Sequence, residues 1–307
     1  MDHRNLLSID DLSPGELGNL LDLAGKVKAQ PGDYGDRLAG RSVALIFEKP
    51  STRTRVSFDI AVESAGGHAV ALTASELHLG SGESIDDTGR SLSRYVQAIV
   101  LRTFEQERLE LLASAATVPV VNALSDFEHP CQCLADLFTI REVRGELGGL
   151  TITYLGDGNN VTHSLLLGGA KSGMHVRVGT PPGFEPIPQV VQRAADIAME
   201  TGGSVSVTHD PIEASRDADV LYTDVWASIG QEAEADERAL VFPAYALDAE
   251  KVSVARSDVT VMHPLPAHRG QEIADEVIDG PHSVVWDQAE NRLHTQKALM
   301  LWLLGQA

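Results

Sequence analysis

The chain has 307 residues, 43% of them hydrophobic and 22% charged, a balance that excludes disordered, collagen-like and disulfide-built classes and exceeds one ordinary core. Two domains of about 150 residues each are therefore expected. The 24 basic and 44 acidic side chains leave a net charge of −20, with Lys at only six positions, so nucleic acid and anionic membrane, both polyanions, are excluded as nonspecific partners.

Residues 1–10 carry early charges and no long apolar run, which argues against a signal peptide, and no stretch approaches the roughly 18 apolar residues of a membrane span. Ser13 and Glu16 form a capping box ahead of Leu17, Leu20, Leu21 and Leu23, which predicts a helix start. Residues 42–47 suit a buried strand. Lys49 and Pro50 break it, and Phe58, Ala61, Val62 and Ala65 then supply a helical stripe ended by Gly66 and Gly67. Further strands are predicted at 68–72, 98–103 and 119–124. Cys131 and Cys133 are the only cysteines, which excludes a disulfide framework and fits a reducing, cytoplasmic compartment. On a helix they point ~200° apart at ~100° per residue, so no metal is expected there. Leu134, Leu137 and Phe138 share a face of a helix that Gly148 and Gly149 close.

From residue 150 the alternation resumes, with strands predicted at 151–155, 175–180, 204–208, 220–223, 260–263 and 284–286. Alternation of this kind predicts an α/β protein with two doubly wound parallel-sheet domains. The boundary falls near Gly148 and Gly149, giving domains over 1–149 and 150–286. A last helix opening around Asp287 and running to 307 is long enough to return to the first domain. No repeat or low-complexity tract interrupts this plan.

Ser51, Thr52, Arg53, Thr54 and Arg55 sit where a buried strand gives way to a helix N-terminus. Unpaired N–H groups, the positive end of the helix dipole, hydroxyls and a guanidinium together predict an anion site. The plainer alternative is that Ser51 only caps the helix and the arginines are solvated. No glycine-rich loop with a following Lys-Ser or Lys-Thr is present, which rejects a nucleotide P-loop. In the second cluster Pro130 suits the first helical position, so His129 caps the helix and Gln132 lies in its opening turn, both able to point out of the helix mouth; a purely structural histidine is the alternative. Gly156, Asp157, Gly158, Asn159 and Asn160 follow a strand, but Val161 replaces the third glycine of a dinucleotide fingerprint and the strand ending at Thr180 lacks the ribose-binding acid. A dehydrogenase is rejected. Asp224 to Gly230 and His263 to Gly270 each follow a probable strand. Asp224 and Ser228 suit an ammonium group, against ordinary loop capping, and Pro264 and Pro266 restrict their loop.

Together these clusters resemble the carbamoyltransferases, and within them the ornithine branch, over nearly the whole chain. Ser51 to Arg55 matches the family's Ser-Thr-Arg-Thr-Arg phosphate loop, and His129 to Gln132 its His-Pro-x-Gln segment. Asp224 to Gly230 resembles the ornithine branch's Asp-x-Trp-x-Ser-Met-Gly. Asn159, Asn160, His163 and Ser164 look like the same branch, as do Glu290, Asn291 and Arg292. The resemblance implies that Ser51, Thr52, Arg53, Thr54, Arg102 and Arg292 bind carbamoyl phosphate, with His129, Pro130, Cys131 and Gln132 at its carbamoyl group and Pro264 and Leu265 beside it. It implies that Asn160, Asp224, Ser228 and Ile229 line the amino-acid pocket, in a site lying between the domains. It also implies trimers whose sites are completed by the neighbour's loop at about 78–84, including His78.

The implied reaction transfers the carbamoyl group to the side-chain amine of L-ornithine, giving L-citrulline and phosphate, with Arg53, Arg102, His129, Asp224 and Pro264 at the chemistry and no cofactor or metal. Three positions depart from the ornithine pattern: Pro264 replaces cysteine and spells the aspartate branch's His-Pro-Leu-Pro, Ile229 replaces methionine, and His78 replaces glutamine. Ala267, His268, Arg269 and Gly270 return to the ornithine pattern. Transfer to putrescine or aspartate, or a noncatalytic carbamoyl-phosphate sensor, are the alternatives. The acidic composition fits either a high-salt cytoplasm or an acidic mesophilic protein.

Overall fold

The computed structural model describes residues 4–73, 82–227 and 234–307. Contacts divide the chain into two compact units, one formed by residues up to Phe138 together with Glu290–Ala307, the other by Thr139–Ala289.

The first unit opens with α1 (Pro14–Ala29), started by the expected capping box: Ser13 Oγ accepts the Glu16 N–H at 3.3 Å, and Glu16 accepts the Ser13 N–H at 2.9 Å. Then follow β1 (Ser42–Phe47), α2 (Thr52–Glu63), β2 (His68–Thr73), α3 (Ile85–Leu92), β3 (Ala98–Arg102), α4 (Gln106–Ala115), β4 (Val120–Leu124) and α5 (Pro130–Arg144). The four strands are parallel, in the order β2-β1-β3-β4. β1 and β3 are central, and Val43–Phe47 and β3 are buried throughout, which is why both read as continuous apolar runs rather than alternating ones. Ala44, Ile46, Ile99 and Leu101 pack against Leu109 and Leu112 of α4. β2 is an edge strand and is nowhere fully buried.

The second unit holds β5 (Thr151–Leu155), α6 (Asn160–Lys171), β6 (His175–Gly179), α7 (Pro188–Thr201), β7 (Ser204–Thr208), α8 (Pro211–Ser215), β8 (Val220–Thr223), α9 (Ala235–Val241), α10 (Ala249–Val254), β9 (Thr260–Met262) and α11 (Asp275–Ile278). Its sheet is also parallel, ordered β7-β6-β5-β8-β9. Leu155, Leu221, Val261, Ile273 and Val285 share one core cluster. The final helix, α12 (Val285–Leu303), carries the chain back to the first unit, as α5 carried it out.

Two sequence expectations are corrected. Residues 284–286 are not a strand: Ser283 makes a single parallel bridge to Val261, the Val284 N–H donates to Val261 O at 3.0 Å, and the helix begins at Val285. An apolar run looked like a strand because Val285 is buried in the core beside β9. Gly145, with φ of 85°, ends α5, its N–H donating to Arg141 O; Gly148 and Gly149 lie beyond, in the approach to β5.

Each sheet reverses its winding once. In the first unit the chain moves outward from β1 to β2, then returns on the other side to β3; in the second it moves from β5 to β7, then returns to β8. Open α/β sheets bind ligands beyond the carboxyl ends of the strands flanking such a reversal. Those ends carry residues 48–54 and Arg102 in one unit, and 156–160 and Asp224 in the other.

The loop after β5 explains its glycines without a nucleotide. A Cβ on Gly158 would lie 2.2 Å from Pro186 N and 2.4 Å from Glu185 C, because the 184–186 segment crosses there and Phe184 O accepts the Gly158 N–H at 2.8 Å. Both are backbone contacts that no rotamer relieves. Gly158→Ala is expected to destabilise the protein by about 3 kcal/mol, the upper end for overpacking, and a urea titration monitored by circular dichroism measures it; an unchanged midpoint would contradict the packing.

Candidate active site

In the first unit the site is built at the mouth of α2. Ser51 is the N-cap, its hydroxyl accepting the Thr54 N–H at 3.2 Å, so the first turn keeps donors facing outward. Thr52 and Arg53 are exposed on that turn, and Thr54 is buried. Arg292 reaches the same place from α12: Nη2 donates to Thr54 Oγ1 at 2.7 Å and Nη1 to Gln132 Oε1 at 2.9 Å. Arg102 ends β3, paired in register with Phe47 of β1. Its side chain is buried, and its Nε has no hydrogen-bond partner among the described residues.

Three guanidiniums thus converge. Burial first, then the nearby Arg292 and Arg53 charges, push the Arg102 guanidinium down to about 10, and burial also lowers Arg53. Burial with the Arg292 and Arg102 charges holds His129 well below the usual imidazole range. His129 is therefore an uncharged donor and acceptor at neutral pH, beside a cluster of cations. Its carbonyl starts α5 by accepting the N–H groups of Gln132 and Cys133 at 3.1 and 3.2 Å, with Pro130 at the first helical position. Gln132 Nε2 donates to Asp136 Oδ1 at 2.8 Å, which fixes the amide so that its oxygen faces Arg292. Cys131 points elsewhere: its buried thiol lies 3.3 Å from Asn122 O, and burial raises it to about 12.

The loops under this cluster are tied together. Lys49, buried just before the turn that caps α2, pairs with Asp126 and lies 4.2 Å from the centre of the Phe104 ring. Glu48 receives Thr103 and Arg108, and its N–H donates to Arg102 O at 2.9 Å. Lys49, Asp126, Glu48 and Asp136 escaped the sequence reading. Their adjacency to Ser51, His129 and Arg102 is the available signal, but charged residues beside a motif are commonplace.

In the second unit Asp224 directly follows β8. It is buried, its Oδ2 accepting Asn159 Nδ2 at 3.0 Å and its Oδ1 the Val225 N–H at 2.8 Å. Burial raises its carboxyl above the usual range, against the opposing pull of His263, the Val225 N–H and Asn159. Asn159 also caps α6, its Oδ1 accepting from Val161 and Thr162, and Asn160 occupies the first position of that helix. The 263–268 loop is held from inside. His263 Nδ1 accepts the Leu265 N–H at 2.9 Å, so Nε2 carries the proton toward Glu272 Oε1 at 3.1 Å. Gln288 accepts the His263 N–H at 2.9 Å and donates to Tyr222 OH at 3.2 Å. Pro264 and Leu265 are partly buried on this loop, and Leu265 has a φ of 53°, a strained value for a branched residue. His263, Glu272 and Asn159 are further residues whose roles only the fold reveals. His78, Ser228 and Ile229 lie outside the described residues. Among the described residues no group of His, Cys, Asp and Glu is arranged to hold a metal ion.

Comparison with known proteins gives one family throughout. Residues 4–142 match the family model for the aspartate/ornithine carbamoyltransferase carbamoyl-P binding domain, and residues 148–303 that for the Asp/Orn binding domain. A protein of Parafrankia sp. (strain EAN1pec) named ornithine carbamoyltransferase is 59% identical over 309 residues, covering 100% of this chain and 98% of its own length. Another so named, from Acidothermus cellulolyticus, is 54% identical over 304 residues, covering 99% and 97%. The solved structure titled ornithine carbamoyltransferase from Pyrococcus furiosus matches with a TM-score of 0.95 at 51% identity, over 99% of this chain and 97% of that one.

Proposed function

The chain belongs to the aspartate/ornithine carbamoyltransferase family, and from that premise we propose that it transfers the carbamoyl group of carbamoyl phosphate to the side-chain amine of L-ornithine, releasing L-citrulline and phosphate. The observation that carries the reading is the convergence of Arg53, Arg102 and Arg292 on the capped mouth of α2, with a buried Arg102 Nε left to donate. A dianionic phosphate answers that need for charge and acceptors.

In this reading Ser51, Thr52, Arg53 and Thr54 hold the phosphate with Arg102 and Arg292. The uncharged His129 donates to the carbamoyl oxygen, and Gln132, fixed by Asp136, addresses the carbamoyl amide through its remaining acceptor capacity. Attack by the neutral amine puts negative charge on the carbonyl oxygen, which His129, Arg53 and Arg102 stabilise more strongly than they do the ground state. The bond from carbon to the phosphate oxygen then breaks, and the departing phosphate accepts the amine proton. Free ornithine's side-chain ammonium titrates near about 10, so rate should rise with pH through neutrality. Asp224 and Asn160 orient the amino acid with Ser228 and Ile229, while Pro264 and Leu265 bring backbone to the same ligands.

The unit with residues up to Phe138 and 290–307 supplies the carbamoyl-phosphate residues, and residues 139–289 the ornithine residues. The proposed assembly is a trimer, or a multiple of trimers, in which a neighbour's His78 completes the site. It is supported by Val56 and Ile60, 54% and 44% exposed on one face of α2, an apolar pair of the kind an interface covers. Among the described residues no helix is long and apolar enough to cross a membrane; a cytoplasmic location is proposed.

The test is a panel of acceptors assayed for carbamoyl transfer. Citrulline formation with ornithine, and turnover at least about 100-fold lower with putrescine, which lacks the amino-acid carboxylate, and with aspartate, which would set a second carboxylate near the buried Asp224, is expected, since polar groups left unmatched by the wrong acceptor cost several kcal/mol. Strong putrescine turnover without citrulline would overturn the acceptor assignment. Tight carbamoyl-phosphate binding with no turnover would make the protein a sensor.

A further inference from the structure

The residue before His129 is tied to the N-terminal segment. Glu128 is fully buried, and both its carboxylate oxygens are engaged by the N-terminal segment: Ser8 Oγ donates to Oε1, and the Ile9 N–H to Oε2 at 3.1 Å. That segment is itself laid against the sheet. The Leu6 N–H donates to Val120 O at 2.9 Å, the Asn122 N–H to Leu6 O at 2.8 Å, and Asn122 Nδ2 to Leu7 O at 2.9 Å, so Leu6 extends the sheet beyond β4. Asn5 Oδ1 accepts the Val120 N–H at 2.9 Å. Leu6, Ile9 and Leu12 are buried in the same place.

The other end of the connection is the turn leading to His129. The Ser125 N–H donates to Glu128 O at 2.9 Å, and the Glu128 N–H to Ser125 Oγ at 3.2 Å. This closes residues 125–128 into a loop whose exit sets the direction of the next residue. One peptide bond later His129 begins α5. A buried carboxylate accepting several hydrogen bonds is held rigidly, because leaving its donors or its charge unsatisfied is costly.

We propose that Glu128 is a positioning residue for His129, and that the N-terminal segment from Asn5 to Asp11 is a structural part of the carbamoyl half-site. The inference rests on the transfer reaction above for its kinetic readout. Its physical content is that the imidazole is aimed by a carboxylate locked to a segment more than a hundred residues away in sequence. The phosphate contacts at α2 and β3 do not pass through this link, so the two functions separate.

Glu128→Gln keeps the side-chain volume but replaces one acceptor oxygen with a donor, setting N–H groups against the Ile9 N–H or the Ser8 hydroxyl. Turnover is expected to fall about tenfold, as displacement of a reacting group by a fraction of an ångström requires, while the dissociation constant for inorganic phosphate stays within about twofold. The imidazole resonances of His129 in histidine-labelled protein, assigned by their loss in His129→Gln, are expected to shift. Should Glu128→Gln fail to fold, Ser8→Ala removes the donor to Glu128 Oε1 along with the Ser8 cap on the Asp10 N–H, and is expected to lower turnover about threefold with the same resonances moved. Unchanged turnover and unchanged His129 resonances in whichever variant folds would overturn the proposal, as would equal losses in turnover and phosphate affinity. Absence of citrulline formation by the unaltered protein would sink the transfer reading alone, since the resonance comparison would still decide whether Glu128 aims His129.

Discussion

Arg102→Met is expected to abolish carbamoyl-phosphate binding and, in the same protein, to raise the melting temperature of the ligand-free form. Arg102 is buried at the end of β3 with Nε unpartnered, and Arg292 and Arg53 repel it. Its guanidinium is pushed below its ordinary value to about 10, which corresponds to roughly 3 kcal/mol. The sign follows from linkage. The fold disfavours the charged form, and at neutral pH the group is charged both folded and unfolded, so the penalty is present in full and is relieved only above the folded value. Methionine occupies the space without charge. Calorimetry should show a rise of about 2–6 °C, and titration with inorganic phosphate, which stabilises the unaltered protein by mass action, should leave the variant unmoved. A lower melting temperature would mean that Arg102 stabilises the fold by contacts that outweigh its desolvation.

Asp224→Asn is expected to lower kcat/KM for ornithine roughly 10²–10³-fold, the weight of a charge-assisted contact in a buried site, with inorganic phosphate affinity unchanged. The variant retains an acceptor for the Val225 N–H but loses the anion. Because burial raises the Asp224 carboxyl, the acid limb of the ornithine pH profile should lie above that of an ordinary carboxylate and should vanish in the variant. A raised folded value means that ionisation costs stability above the unfolded value, a gain for the variant that is offset because its amide N–H then faces the Asn159 Nδ2 donor. An unchanged acid limb in Asp224→Asn would assign that limb to another group. Arg102 and Asp224 are thus held in forms the fold alone would not choose, as expected of residues kept for a ligand.

The central strands were legible because parallel strands buried on both faces leave uninterrupted apolar runs, as in β1, β3 and β5. Residues 284–286 share that signature and failed, since an apolar first turn of α12 packed beside β9 looks the same over three residues. The helix mouths at Ser51 and His129 were legible for a local reason: caps and first-turn prolines act within four residues. What remained hidden depends on partners far apart in sequence. Nothing near Glu128 announces Ser8, nothing near His263 requires Glu272, and Cys131, inside a motif, turns its thiol to Asn122 instead. A motif identifies which residues are placed together, whereas the direction each side chain takes is set by packing.

Arg292 reaches Thr54 across 238 positions of sequence and Gln132 across 160. A ribosome releases a polypeptide in order from its amino end, so the proposed phosphate site lacks one of its three guanidiniums until α12 has emerged. If the proposed phosphate site is right, full affinity for carbamoyl phosphate is expected only of a nearly finished molecule, and clipping the tail ahead of residue 292 is expected to weaken that affinity however well the earlier strands had folded.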